Sequence, residues 1–378
     1  MRSFAKRQSL VLACMLTIGS AATHAGLEAQ SRAPAANWNR RAAAAFLDAR
    51  MSWWSSWPVA RRDHDTACLS CHTAAPYALA RPVLRDALGE VGMTVPEARL
   101  FGDVRKRVTL WTETEPSYPD QAFGLPKSSE SRGTEAILNA LVLASRDARE
   151  GRLATETRQA FENLWKLQFT RRAESGGWAW LNFDLAPWES EGAAYFGAAL
   201  AAVAAGIAPE GYAASEDAEE PLGMLRAHLL ESPGPRLPLD RVMLLWASAE
   251  LPGLLNEDEK RSTIAAIQNM QNGDGGWSLT SMGPWEGRDG YAAPRGSDGY
   301  ATALTTYALL RAGVRPDRDG LGRALEWLVG HQDPTSGRWP SSSLNREREP
   351  ESERGLFMSD AATAFAVLAL AQARAVQE

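Results

Sequence analysis

Cysteine is nearly missing from this 378-residue chain, which has three in all: Cys14, Cys68 and Cys71. That scarcity leaves no second ligand pair with which Cys68 and Cys71 could complete a zinc site. A basic tract is also lacking, and the formal charge is −6, so nucleic-acid binding has no electrostatic support. Beyond the N-terminal stretch no long hydrophobic run occurs. The most apolar segment, 193–208, is 16 residues long, short of the roughly 20 that span a bilayer, and it reads as a buried helix.

Residues 1–25 combine a basic start (Arg2, Lys6, Arg7), an apolar stretch from Ser9 to Ile18 and small residues before Gly26. This pattern predicts a secretory signal peptide cut after Ala25 or Ala22, and hence a periplasmic or secreted protein. Cys14 leaves with the leader. The mature chain then carries 37 Lys and Arg against 46 Asp and Glu, a net −9.

Both mature cysteines fall in Cys68-Leu69-Ser70-Cys71-His72. C-x-x-C-H is the attachment pattern of covalent haem c, in which two thioethers hold the porphyrin and the histidine is the proximal iron ligand. A thioredoxin-type dithiol would want a βαβ setting that the helical surroundings do not supply. The expectation is one covalent haem on Cys68 and Cys71 with His72 on iron, within a site near 64–82. Met282 and Met358, each in a long loop, are the candidate sixth ligands. Trp53, Trp54, Trp57, Pro76 and Tyr77 could cover a porphyrin, and Arg61, Arg62 and Arg81 could pair with its propionates. His228 and His331 read as caps at helix ends.

Three later segments are alike: Gln168 leading to Gly176-Gly177-Trp178, Gln271 to Gly275-Gly276-Trp277, and Gln332 to Gly337-Arg338-Trp339. Each follows an apolar helical stretch, precedes a polar loop and leads to an Ala/Leu-rich helix, as in architectures that stack helical pairs. The pattern predicts outer helices at 39–55, 97–113, 155–168, 219–230, 257–271 and 319–331. Inner helices follow at 76–89, 131–146, 190–206, 239–250, 298–312 and 358–375. Six pairs make an all-α, closed (α/α)6 toroid over 26–378. The outer-to-inner loops are the long ones, and all should open on one face, with C-x-x-C-H in the first. The competing division is a cytochrome c-like domain at 26–115 followed by a toroid at 116–378.

The glutamine and Gly-x-Trp at helix ends resemble the repeat of the squalene-hopene and oxidosqualene cyclases, whose toroid is shared with prenyltransferase β subunits. The resemblance is clearest over 155–378 and implies that the Gln/Trp pairs are structural. It does not extend to chemistry, because D-x-D-D is missing and no cysteine follows Cys71 to bind zinc. Cyclase and prenyltransferase activity are therefore not expected. The sequence reads as an exported mono-haem protein on a cyclase-like scaffold, an electron carrier or haem oxidoreductase with an unknown redox partner and room for an apolar molecule. The alternatives are a non-haem toroid that binds lipid or terpenoid and a secreted interaction module.

Overall fold

The computed structural model describes residues 38–171, 174–231, 235–316 and 320–377. The leader and both cleavage sites lie outside the described residues. The chain is built from α1 (Arg40–Ser56), α2 (Ala74–Leu88), α3 (Val95–Thr109), α4 (Asp120–Phe123), α5 (Lys127–Glu150), α6 (Thr155–Lys166) and α7 (Ala194–Ile207), followed by α8 (Glu216–Leu230), α9 (Pro238–Glu250), α10 (Glu257–Gln268), α11 (Gly299–Arg311), α12 (Leu321–Gly330) and α13 (Phe357–Gln377).

Helices α2, α5, α7, α9, α11 and α13 pack in sequence order, and α13 returns to α2, closing an inner ring. Helices α1, α3, α6, α8, α10 and α12 back it from outside. The protein is an all-α (α/α)6 toroid. Composition explains the layers. Inner helices such as α7 and α13 are rich in buried alanine, which lets helix axes approach closely, whereas outer helices bury one face, and α1, α3 and α10 are capped by polar side chains. Thr94 with Glu97 and Asn256 with Glu259 form capping boxes on α3 and α10. Helix α2 packs on α5 and α13, α1 on α2 and α13, and α3 on α5 and α6. No helix among the described residues is long and apolar enough to cross a membrane.

The Gln/Trp pairs fasten one repeat to the next. Trp178, Trp277 and Trp339 donate Nε1–H to the carbonyls of Leu164, Ile267 and Leu328, at 2.9, 2.9 and 2.6 Å. Gln168 Nε2 donates to Gly176 O and Pro221 O, and Gln271 Nε2 to Gly275 O and Gly320 O. Gln332 Nε2 donates to Gly337 O at 2.8 Å and Asn39 O at 3.1 Å, while Asn39 N–H donates back to Gln332 Oε1 at 2.7 Å. That last set joins the final repeat to the first helix. Gly337 must be glycine: its φ is +78°, and a Cβ there would run into Ala42.

Candidate functional site

The mouth is formed where long loops meet the N-termini of inner helices. The first of these loops opens with a two-stranded hairpin, β1 (Arg61–Arg62) against β2 (Thr66–Ala67), paired Arg61 to Ala67 and Arg62 to Thr66. His64 and Asp65, both at φ +52°, make its tip, and His64 is exposed. After β2 the chain dives inward. Cys68 N–H donates to Ala60 O, and Trp54 Nε1–H donates to Cys68 O, both at 2.7 Å. Ser70 Oγ accepts from Thr73 and Ala74 N–H and starts α2.

Cys68 and Cys71 are both buried, and loss of solvent pushes both thiols up, Cys71 well above the ordinary value. Cys68 Sγ lies 4.0 Å from Tyr118 OH. The His72 ring stacks on Phe357 at 4.0 Å between centroids, with Trp54 edge-on at 5.0 Å and Trp188 at 6.1 Å. Phe357 begins α13 and Trp188 precedes α7, so the first loop shares its face with the later ones.

A chain of hydrogen bonds fixes the imidazole. Arg50 Nε donates to Asp360 Oδ1 at 2.7 Å, which leaves Asp360 as an acceptor for Thr73 Oγ1 at 2.6 Å. With its only proton committed, Thr73 Oγ1 accepts from His72 Nδ1–H at 2.7 Å. His72 is therefore the Nδ1–H tautomer with its lone pair on Nε2. Burial, with the charge of Arg50, pushes its pKa down to about 3, so it is neutral. Burial also lifts Asp360 to about 6 against the opposing pull of Arg50. A neutral imidazole oriented through its other nitrogen is the donor an iron would require, and Cys68 and Cys71 would hold the porphyrin.

The remaining sequence candidates scatter. Met358, in the first turn of α13, follows Phe357, while Met282 passes its carbonyl to Leu239 N–H at the start of α9; both are buried. Arg81 is buried and paired with Asp48 at 2.9 Å and Glu90 at 2.6 Å, and Arg62 lies over the Tyr118 ring at 4.7 Å. Trp53 and Trp57 stack on each other at 5.0 Å. Asp298 is the N-cap of α11, accepting from Tyr300 and Ala301 N–H. His331 Nδ1 is 2.7 Å from Trp327 O, within its own helix end.

Glu189 escaped the sequence reading. It lies in the loop before α7, next to Trp188, whose Nε1–H donates to Tyr300 OH at 2.9 Å. Burial pushes its carboxyl up to about 7, with Lys127 the only opposing charge, and its field reaches Cys68, Cys71 and Tyr118. The signal available was positional: Glu189, Asp298 and Asp360 all stand near junctions of long loops with inner helices.

No family model matches the chain, and no curated protein matches it in sequence. Solved structures do. A glycosidase is 14% identical, covering 89% of this chain and 97% of its own, with a TM-score of 0.48. A Salmonella enterica protein described as a possible member of the GH105 family is 13% identical, covering 88% and 94%, also at 0.48. A polysaccharide lyase is 12% identical, covering 90% and 91%, at 0.37.

These findings correct the functional reading of the sequence. The similar chains set out above are described as a glycosidase, a GH105 protein and a lyase, not as cyclases, prenyltransferases or haem proteins. The cyclase resemblance is withdrawn, and with it the electron-transfer and haem-oxidoreductase reading. Among the described residues no group of three or more His, Cys, Asp or Glu is placed to hold a metal, so the iron and metal-binding description is withdrawn as well. The misreading has a physical source. Gln/Trp ties solve the problem of joining stacked helical pairs, and they specify that joint without specifying chemistry.

Proposed function

We propose that the protein is a hydrolase whose ring mouth cleaves an acetal or glycoside bond, with Glu189 as general acid. The observation that carries this reading is the half-buried Glu189 in the mouth loop before α7, where loss of solvent lifts its carboxyl to about 7 and its charge reaches the Cys68 and Cys71 thiols. Near neutral pH a large fraction is protonated, as a proton donor to a leaving oxygen must be. Phe357, half-buried at the start of α13, supplies aromatic surface for the apolar side of a sugar-like ring, with Trp188 packed close by. In the reaction the Glu189 proton passes to the leaving oxygen as the C–O bond breaks. Water then adds to the carbon, and its proton restores the carboxyl. A periplasmic or secreted setting, resting on residues 1–25, belongs to the same proposal and is read by cell fractionation.

The test is turnover of a panel of 4-nitrophenyl glycosides by the purified protein. Glu189→Gln should lower kcat by about 10²–10⁴ with little change in KM. Wild-type kcat should fall as pH rises through about 7, because the acid is then ionised. Absence of wild-type turnover, or a Gln variant as active as wild type, would sink the proposal. Intact mass answers the separate question of occupancy: a one-haem increment on Cys68 and Cys71 would add a cofactor to the mouth without restoring the withdrawn role.

A further inference from the structure

A second concavity opens among the starts of α5, α7 and α9, walled by the loop that carries Gly177 to Trp180. Its volume is about 740 Å³, within the range of sites that enclose small organic molecules. Trp178, Trp180 and Tyr195 line it, and their polar tips are engaged elsewhere. Trp178 Nε1–H donates to Leu164 O at 2.9 Å, Trp180 Nε1–H to Trp188 O at 2.7 Å and Tyr195 O–H to Leu229 O at 2.9 Å. The cavity therefore meets ring surface, which attracts both apolar groups and cations.

Charge at the wall is unequal. Among the described residues the lining carboxylates are Glu130, Glu174, Glu191 and Asp240, against the single guanidinium of Arg236. Glu130 is engaged by Lys127 at 2.6 Å, and Asp240 accepts from the N–H groups of Arg236 and Leu237 at 2.9 and 2.8 Å. Glu174 and Glu191 are exposed at the rim. An acidic rim alone would be ordinary solvated surface.

His228 changes that reading. It is only 6% exposed and belongs to the wall. Its Nδ1 faces Ser175 O at 3.1 Å, and because a carbonyl can only accept, Nδ1 carries the proton. Burial favours the neutral ring, so Nε2 is a lone-pair acceptor, with no hydrogen-bond partner among the described residues. The ring also packs close over Gly177: a Cβ there would meet Cε1 at 2.6 Å and Nε2 at 2.9 Å. The second glycine of this Gly-Gly-Trp thus makes room for an acceptor that the protein leaves unused.

We propose that this cavity binds a primary amine carried on a ring-sized apolar body, its ammonium donating to His228 Nε2 and Glu174 while the ring lies against Trp180 and Tyr195. Charged donors make the stronger hydrogen bonds, and His228 Nε2, on a side chain only 6% exposed, is open to accept one. The proposal goes beyond the reading of Glu189 and does not depend on it.

Titration calorimetry of the full chain with benzylamine and with benzyl alcohol, at pH 7.5 and low salt, tests it. Benzylamine should bind saturably and the alcohol at least about tenfold more weakly, a gap of about 1.4 kcal/mol. His228→Asn and Glu174→Gln should each weaken the amine about tenfold, with unchanged circular dichroism. Glu174 is exposed, so its variant keeps the test sound if the His228 variant does not fold. Equal affinities for amine and alcohol, no saturable amine binding, or wild-type affinity in the folded variants would overturn the proposal.

Discussion

Glu189 holds a proton that the unfolded chain would release. Burial raises its pKa from 4.5 to about 7, so its contribution to stability is complete below pH 4.5 and lost as pH rises through about 7. Glu189→Gln has no such proton. Its melting temperature should therefore climb relative to wild type between pH 4.5 and pH 8, by the equivalent of at most roughly 3 kcal/mol, and a difference independent of pH would refute the raised pKa. Thr73 makes the other sharp case at this scale. Thr73→Val leaves His72 Nδ1–H without its acceptor and deprives Asp360 of a donor, which should lower stability by about 1–3 kcal/mol in urea melts. Thr73→Ser should recover most of the loss.

At the scale of elements, the joint between repeats is set by a few side chains. Gln332 clasps Asn39 through both of its amide atoms, bonds open to solvent, so Gln332→Ala should cost about 0.5–1.5 kcal/mol in chemical denaturation. Gly337→Ala should cost more, since it combines a left-handed backbone with a collision against α1. Helix order and layer were legible because alanine-rich and amphipathic stretches alternate along the chain. Boundaries were less so: α5 starts at Lys127 instead of 131 and ends at Glu150 instead of 146. Its polar end turns lie beyond the buried stretch, and apolar periodicity registers only what is buried. The short α4 had no such signal.

Across the whole molecule, the described residues belong to one compact unit with a continuous core running round the ring. Heat should therefore unfold it in a single transition, with tryptophan near-ultraviolet and backbone far-ultraviolet circular dichroism sharing one midpoint. Two separated midpoints would reveal a part that folds alone. The sequence by itself determined the toroid and the side of the ring on which Cys68, Cys71 and His72 open. Each of these follows from local pattern and chain connectivity. It did not determine what the mouth does. The C-x-x-C-H pattern names a chemistry only through residues that surround it in space, and those come from elsewhere: Asp360 and Phe357 lie more than 280 positions away, as Tyr118, Trp188 and Glu189 also come from later loops. Tertiary structure alone decided which nitrogen of His72 is protonated, how high the Glu189 pKa rises and where His228 Nε2 is left open. Desolvation and hydrogen-bond partnership are properties of an environment, and the folded ring creates that environment.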